Sequence, residues 1–101
     1  MPMFLVIVRQ SGPEWRAGRP LEEQSGWDEH AAFMDALVDE GVIVLGGPVG
    51  DDRRVAHAMQ AASEEEIRAT LDRDPWSGSH LVIDTIDPWT IRLSRPGLDT
   101  D

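Results

Sequence analysis

The sequence predicts an α+β fold of the ferredoxin-like kind, in which β-α-β-β-α-β elements build a four-stranded antiparallel sheet. Short runs of β-branched and apolar residues alternate with two stretches of helical periodicity. Serine and glycine residues stand where those helices would begin and end. The 101 residues suffice for one domain, which we assign to residues 1–93, with a polar tail over residues 94–101.

The chain begins with a predicted strand and a long loop. The strand, MFLVIVR at residues 3–9, is apolar at consecutive positions, so we expect both of its faces to be covered. A polar loop rich in glycine and proline follows over residues 10–24. Loops of this length in a compact domain are often lids or binding loops.

The first predicted helix is WDEHAAFMDALVDEG, residues 27–41. Its apolar positions form one stripe, made of Trp27, Phe33, Met34, Leu37 and Val38. Ser25 with Asp28 resembles a capping box at its start, and Gly41 is expected just after its end. His30 lies on the apolar stripe near the N-terminal end, so it is either a buried structural histidine or the working group of a site.

Two strands are predicted next, paired as a hairpin. The first, residues 42–50, is interrupted by Gly46-Gly47-Pro48, and the second covers residues 55–61. Glycines within a strand often mark a place where the backbone comes close to another group, here a ligand or a partner chain. Asp51 and Asp52 are expected to be solvated turn residues.

A second helix and a last strand complete the pattern. Ser63 and Glu66 form a capping box for a helix over residues 63–73, which Pro75 follows. The extended segment over residues 80–93 is expected to bend at Asp87-Pro88, because proline cannot donate to a strand ladder.

Two helices can cover only one face of this sheet, yet residues 4–8 and 42–45 are apolar on both faces. Leaving a large apolar face in water is unfavourable. We therefore predict a homodimer that packs sheet to sheet. The alternative is a monomer whose loop and tail fold across the sheet, which the polarity of those segments disfavours.

Composition excludes several classes of function. A net charge of −10 argues against nucleic acids and anionic membranes as partners, since both attract basic surfaces. The sequence contains no cysteine and no lysine, which removes disulfides, thiolate chemistry and Schiff-base lysines. No apolar run approaches a membrane span, and the N-terminal residues do not resemble a signal peptide, so we expect a cytoplasmic protein.

His30 is the first candidate for chemistry, because an imidazole near neutral pH can serve as acid or base. A base of this kind needs an acceptor that orients its ring. Asp74, held by the following Pro75 and Trp76 after the second helix, is the candidate, although Asp-Pro-Trp is also a common way to stop a helix. The sequence alone does not place the two in contact.

The remaining candidates are weaker. His57 is expected to face the same way as Val55 and Met59, into a pocket or an interface, with a structural role favoured. His80 is expected to be exposed at the start of the last strand. The three histidines lack metal-binding spacing, so no metal and no cofactor are predicted. Position in the predicted fold suggests further pocket residues, which are Arg9, Gln24, Trp27, Phe33 and Trp76.

Three motifs together resemble the YCII-related (YciI-like) family of the dimeric α/β-barrel superfamily. They are GWDEHAAFMDALVDEGVIVLGGPVGD, SEEEIRATLDRDPW and IDPWTIRL, within a resemblance that extends over residues 3–93. The resemblance implies a ferredoxin-like dimer with facing sheets. It also implies that His30 and Asp74 form an acid–base pair in a pocket. Most members of this family have no known substrate.

We therefore expect a small cofactorless enzyme that acts on a small aromatic or enolisable molecule. His30 would be the general acid or base, and Asp74 would fix its tautomer. The alternative is a non-catalytic dimeric module that binds a metabolite or serves as an accessory unit. A hydrogen bond between the two side chains would favour the enzyme.

Overall fold

The computed structural model describes residues 1–51 and 53–98 and confirms the ferredoxin-like α+β fold. Its strands and helices, in chain order, are β1 (Met3–Arg9), α1 (Trp27–Asp39), β2 (Ile43–Val49), β3 (Arg54–Gln60), α2 (Glu64–Leu71) and β4 (Val82–Pro88). The four strands form one sheet in the order β2-β3-β1-β4, and each neighbouring pair is antiparallel. The long loop carries a short 3-10 helix, Leu21–Glu23.

One face of the sheet carries the core. Strand alternation sends Phe4, Val6 and Val8 of β1 to the side on which both helices pack. The buried apolar cluster consists of Phe4, Val6, Val8, Leu37, Ile43, Met59, Ala61, Ile67, Leu71 and Ile86. Because β3 pairs in register with β1, His57 lies opposite Val6 and therefore also points toward the helices.

The two helices begin differently from each other. The Ser63 hydroxyl accepts a hydrogen bond from the Glu66 amide at 3.2 Å, as the capping box predicts. The prediction that Ser25 caps α1 is wrong, because the N-cap residue is Gly26, which has a φ of 74° and no side chain to offer. Gly41 follows α1 with a φ of 79°, in the left-handed conformation expected after a helix end.

Two strand predictions need correction. Gly46-Gly47-Pro48 does not interrupt β2, which continues to Val49, and the register shift in its pairing lies between Ile43 and Leu45. β4 begins at Val82 rather than at residue 80 and ends at Pro88. The chain beyond Pro88 leaves the ladder, although the Trp89 amide still donates to the Met3 carbonyl at 2.8 Å.

Some predictions fall partly outside the described residues. Asp51 is an exposed turn residue, whereas Asp52 and residues 99–101 of the predicted tail lie outside the described part. The assignment of residues 1–93 to one domain stays a prediction. Within the described part of the chain, no helix combines the length and apolar character that a membrane span requires.

Candidate active site

The structure brings His30 and Asp74 into direct contact. His30 lies in the first turns of α1, and Asp74 lies in the turn that follows α2, 44 positions further along the chain. The His30 Nδ1 atom is 2.8 Å from one carboxylate oxygen of Asp74 and 3.0 Å from the other. Both residues are buried, with exposed fractions of 8% and 7%. The separation lies within the range that an acid–base pair requires.

The backbone around Asp74 fixes its carboxylate. The Trp76 amide donates a hydrogen bond to Asp74 Oδ1 at 2.9 Å, so this oxygen accepts from two donors. An ionised carboxylate can only accept, and therefore Nδ1 of His30 carries the shared hydrogen. Nε2 is then the ring nitrogen that holds a lone pair, as a general base requires.

Trp76 forms the centre of an aromatic stack. Its indole lies flat against the His30 ring on one side, with ring centroids 4.1 Å apart, and against the His80 ring on the other, at 4.7 Å. Trp27 is tilted against both His30 and Trp76, with centroids 5.9 Å from each. The indole nitrogen donates to the Ser25 carbonyl at 2.8 Å, which ties the stack to the start of α1. The plane of the His30 ring is thus held by its neighbours as well as by Asp74.

His80 is not exposed, so that prediction is wrong. Only 3% of the residue is accessible, and both ring nitrogens have partners. Nε2 is 2.9 Å from the Ser25 hydroxyl, and Nδ1 is 2.8 Å from the Ser79 hydroxyl. The Ser25 side chain therefore contacts His80 instead of capping α1. The contact between Ser25 and His80 joins segments 55 positions apart, which no local pattern in the sequence could indicate.

A cavity of about 530 Å³ lies beside the His30 ring. Its wall is largely apolar and includes Trp27, Met34, Val38, Val55, Trp76 and Leu81. Polar groups are few. Among the described lining residues, the hydrogen-bonding side chains are those of Gln10, His30, Asp35 and His57, together with the indole N–H groups of Trp27 and Trp76. A mostly apolar hollow with a small number of polar groups is typical of a site for a small molecule.

Of the six further pocket residues that the sequence predicts, three line this cavity and three do not. Trp27, His57 and Trp76 line this cavity together with His30. Arg9, Gln24 and Phe33 do not reach it. The Arg9 side chain pairs with Asp84 at 3.1 Å, and Phe33 packs against the core. The buried Gln24 side chain holds the long loop, accepting from the Arg16 amide and donating to the Arg16 and Arg19 carbonyls.

His57 lines this cavity and has one buried ring nitrogen without a hydrogen-bond partner. The residue is 7% exposed, and its buried Nδ1 atom has no hydrogen-bond partner. An unsatisfied buried polar atom costs about 1–3 kcal/mol. The pKa of His57 is lowered from 6.5 to about 4, mainly by burial and in part by the nearby His30, while Asp74 acts in the opposite direction. The ring is therefore uncharged at neutral pH.

Gly46 gives the His57 ring its space. A Cβ atom built at Gly46 would lie 2.4 Å from Cδ2 of His57, whereas one built at Gly47 meets nothing within 4 Å. The sequence predicts that the backbone at the Gly-Gly pair lies close to another group, and that group is the side chain of His57 on the neighbouring strand. It is the residue type at position 46, and not the one at 47, that this packing requires.

We expect Gly46→Ala to destabilise the fold by about 1–3 kcal/mol, since the added methyl group forces the His57 ring or the strand to move. Gly47→Ala is the matched control and should change the unfolding free energy by less than about 0.5 kcal/mol. Urea unfolding of both variants at one protein concentration measures the difference. Equal stability of the two variants would contradict the packing described for His57.

Among the described residues, no group of three or more His, Asp or Glu side chains is arranged to hold a metal ion. Comparison with known proteins also gives no relative, since no family model and no curated protein match the chain. The resemblance to the YCII-related family stays a prediction from the motifs.

Proposed function

We propose that this chain is a small cofactorless enzyme that moves a proton on a small aromatic or enolisable molecule. The observation that carries the proposal is the 2.8 Å hydrogen bond between the buried side chains of His30 and Asp74, with the His30 ring at the wall of a largely apolar cavity. A histidine oriented by a carboxylate is the usual arrangement of a general acid–base catalyst.

The chemistry follows from the proton positions. Nε2 of His30 takes a proton from a C–H bond next to a carbonyl or from the hydroxyl group of an electron-rich ring, and the electrons of that bond give an enolate or a phenolate. His30 then carries two ring protons, and the Asp74 carboxylate stabilises its charge. His30 then gives a proton to the original carbon or to a different one, and exchange of its Nε2 proton with solvent before this step places solvent hydrogen on that carbon. The apolar walls strengthen these interactions by keeping water away from the reacting atoms.

Two further proposals concern assembly and location. The sheet face opposite the helices exposes apolar side chains, among them Leu45, Val49 and Val82 with exposed fractions of 54%, 37% and 44%. Ile7 lies on the same face and is partly exposed. A second copy packed through this face would cover these groups, which supports a homodimer. The expected location is the cytoplasm.

Sedimentation tests the dimer. We expect the wild-type chain to sediment as two copies and Ile7→Glu to sediment as one, because the added carboxylate would be buried without a partner. Ala69→Glu adds the same charge at an exposed position of α2 and should remain dimeric. A wild-type chain that sediments as a single copy at high concentration would reject the dimer.

Hydrogen exchange tests the catalytic role. In D₂O, the wild-type chain should accelerate replacement of carbon-bound hydrogen by deuterium in an enolisable ketone, cyclohexanone, or an electron-rich phenol, resorcinol. We expect His30→Gln to lower the rate by roughly a hundredfold or more, the usual contribution of a general base. Proton NMR follows the loss of the C–H signals.

Matched carboxylate variants sharpen this experiment. Asp74→Asn should also lose the acceleration, because an amide can hold the wrong tautomer of His30. Asp84→Asn makes the same chemical change at an exposed residue that pairs with Arg9, and it should leave the rate unchanged. Bound probes without faster exchange would instead favour a metabolite-binding module.

A further inference from the structure

We infer that His57 is the polar anchor for the ligand, and that the cavity selects an uncharged small molecule with one hydroxyl or carbonyl group on an apolar body. This inference rests on the proposed function, since it takes the cavity beside His30 as the ligand site. It adds a residue to that site and a class of molecule that the site accepts.

The position of His57 is the first argument. The residue lies on β3 opposite Val6, so its ring points to the helix side of the sheet and lines the same cavity as His30. The two imidazoles thus belong to one hollow, although they come from a strand and a helix 27 positions apart in numbering. A ligand that presents a carbon atom to His30 can present an oxygen atom to His57.

Free hydrogen-bonding capacity is the second argument. The other two histidines are satisfied, His30 by Asp74 and His80 by Ser25 and Ser79. Nδ1 of His57 is enclosed and has no partner among the described residues, so a ligand reaches it when the ring turns about its Cβ–Cγ bond. An apolar side chain would fill the same place without an unmet polar atom, so packing does not explain a histidine there. Groups that reduce stability in this way are often retained for binding or chemistry.

The residue opposite His57 on the neighbouring strand is the third argument. Gly46 is the cross-strand partner of His57, and any larger residue would collide with the ring at Cδ2. The strand therefore accepts a weaker β-forming residue where the imidazole needs room. This match between two neighbouring strands is a feature of the site and is independent of the His30–Asp74 pair.

Charge decides the class of ligand. Burial keeps the pKa of His57 well below neutral, so the ring offers a neutral donor and a neutral acceptor. The described lining residues include no arginine, the sequence has no lysine, and Asp35 adds a negative charge. A carboxylate or phosphate would enter without a cationic partner, which is unfavourable in an apolar hollow. A neutral hydroxyl or carbonyl can hydrogen-bond to the ring without that cost.

Three probes of similar size separate the possibilities at pH 7, namely phenol, toluene and benzoate. Protein labelled with ¹⁵N in histidine reports the ring nitrogens of each residue in long-range ¹H–¹⁵N spectra. We expect phenol to shift the His57 nitrogens in a saturable way and to bind about tenfold more tightly than toluene, on the scale of one hydrogen bond. Benzoate should bind at least as weakly as toluene and leave the His57 signals in place.

Variants at position 57 assign the preference. His57→Phe keeps a flat ring beside Gly46, and His57→Leu serves if the larger ring does not fit. In either variant, phenol and toluene should bind equally while the His30 signals remain those of the Asp74-bonded ring. The inference is overturned if benzoate binds as tightly as phenol, if no probe binds, or if the preference for phenol survives in these variants.

The outcome is separable from that of the exchange experiment. Phenol bound through His57 without accelerated exchange would leave this inference standing and reject the acid–base role. Accelerated exchange that depends on His30, with no selectivity from His57, would do the reverse.

Discussion

Trp76→Ala is expected to lower the unfolding free energy by about 3–5 kcal/mol, the usual cost of removing a fully buried large aromatic side chain. Trp76 is 1% exposed and lies between the rings of His30 and His80. Its loss leaves two imidazoles without a stacking partner and frees the Ser25 carbonyl from the indole N–H. The change therefore combines a cavity with a broken hydrogen bond.

Urea unfolding measures this loss, and the protein concentration is held fixed because the proposed dimer would make the stability depend on it. Trp89→Ala is the matched control, since Trp89 lies just after β4 and is 41% exposed. We expect it to cost less than half as much. Trp76→Phe keeps an aromatic face without the indole N–H and should fall between them. Equal losses at positions 76 and 89 would show that the stack contributes little to the fold.

The fold was predictable because its signals are local. Consecutive apolar residues bounded by polar ones predict β1 with the bounds that the structure has, Met3–Arg9. Helical periodicity places the start of α1 at Trp27, and the serine at position 63 caps α2. Period and capping depend on neighbours within one or two turns, so one sequence suffices to recognise them.

The site was predictable only in part, because its contacts are distant in sequence. Strand alternation correctly gives the direction of His57, since it depends on Val55 and Met59 two positions away. It cannot show that Nδ1 lacks a partner. The prediction that His80 is exposed is wrong because its burial comes from Trp76 and from Ser25, which contact it only once the chain has folded. The same serine is thereby taken away from the helix cap that its position suggested.

The pairing of His30 with Asp74 falls between these cases. The residue types and the apolar stripe indicate what each side chain could do, and the contact itself depends on how the end of α2 packs against the start of α1. A sequence can therefore nominate the pair, whereas the distance must come from the fold. Its role as a catalytic pair stays a proposal until exchange is measured.

Acid is expected to destabilise the wild-type chain more than a variant without the buried imidazole. The pKa of His57 is about 4 in the folded chain and 6.5 in the unfolded chain. Below pH 6.5 the unfolded chain binds a proton that the folded chain does not bind until the pH approaches 4. The unfolded state therefore gains protons first, and stability falls as the pH falls through this window. Well above pH 6.5 both states are neutral at His57, and the residue adds no pH dependence.

Comparison of wild type and His57→Leu isolates this contribution, because the two chains share every other ionisable side chain. Between pH 7.5 and pH 4.5, the wild-type chain should lose roughly 2–3 kcal/mol more unfolding free energy than the variant. Urea unfolding at the two pH values gives both differences. If the two chains lose stability equally, then His57 takes up its proton as readily folded as unfolded, and the cavity is too wet to hold a neutral imidazole. If the wild-type chain loses more unfolding free energy than the variant, then the burial of His57 lowers stability in acid. The same burial keeps the ring uncharged at neutral pH, where the ligand would bind.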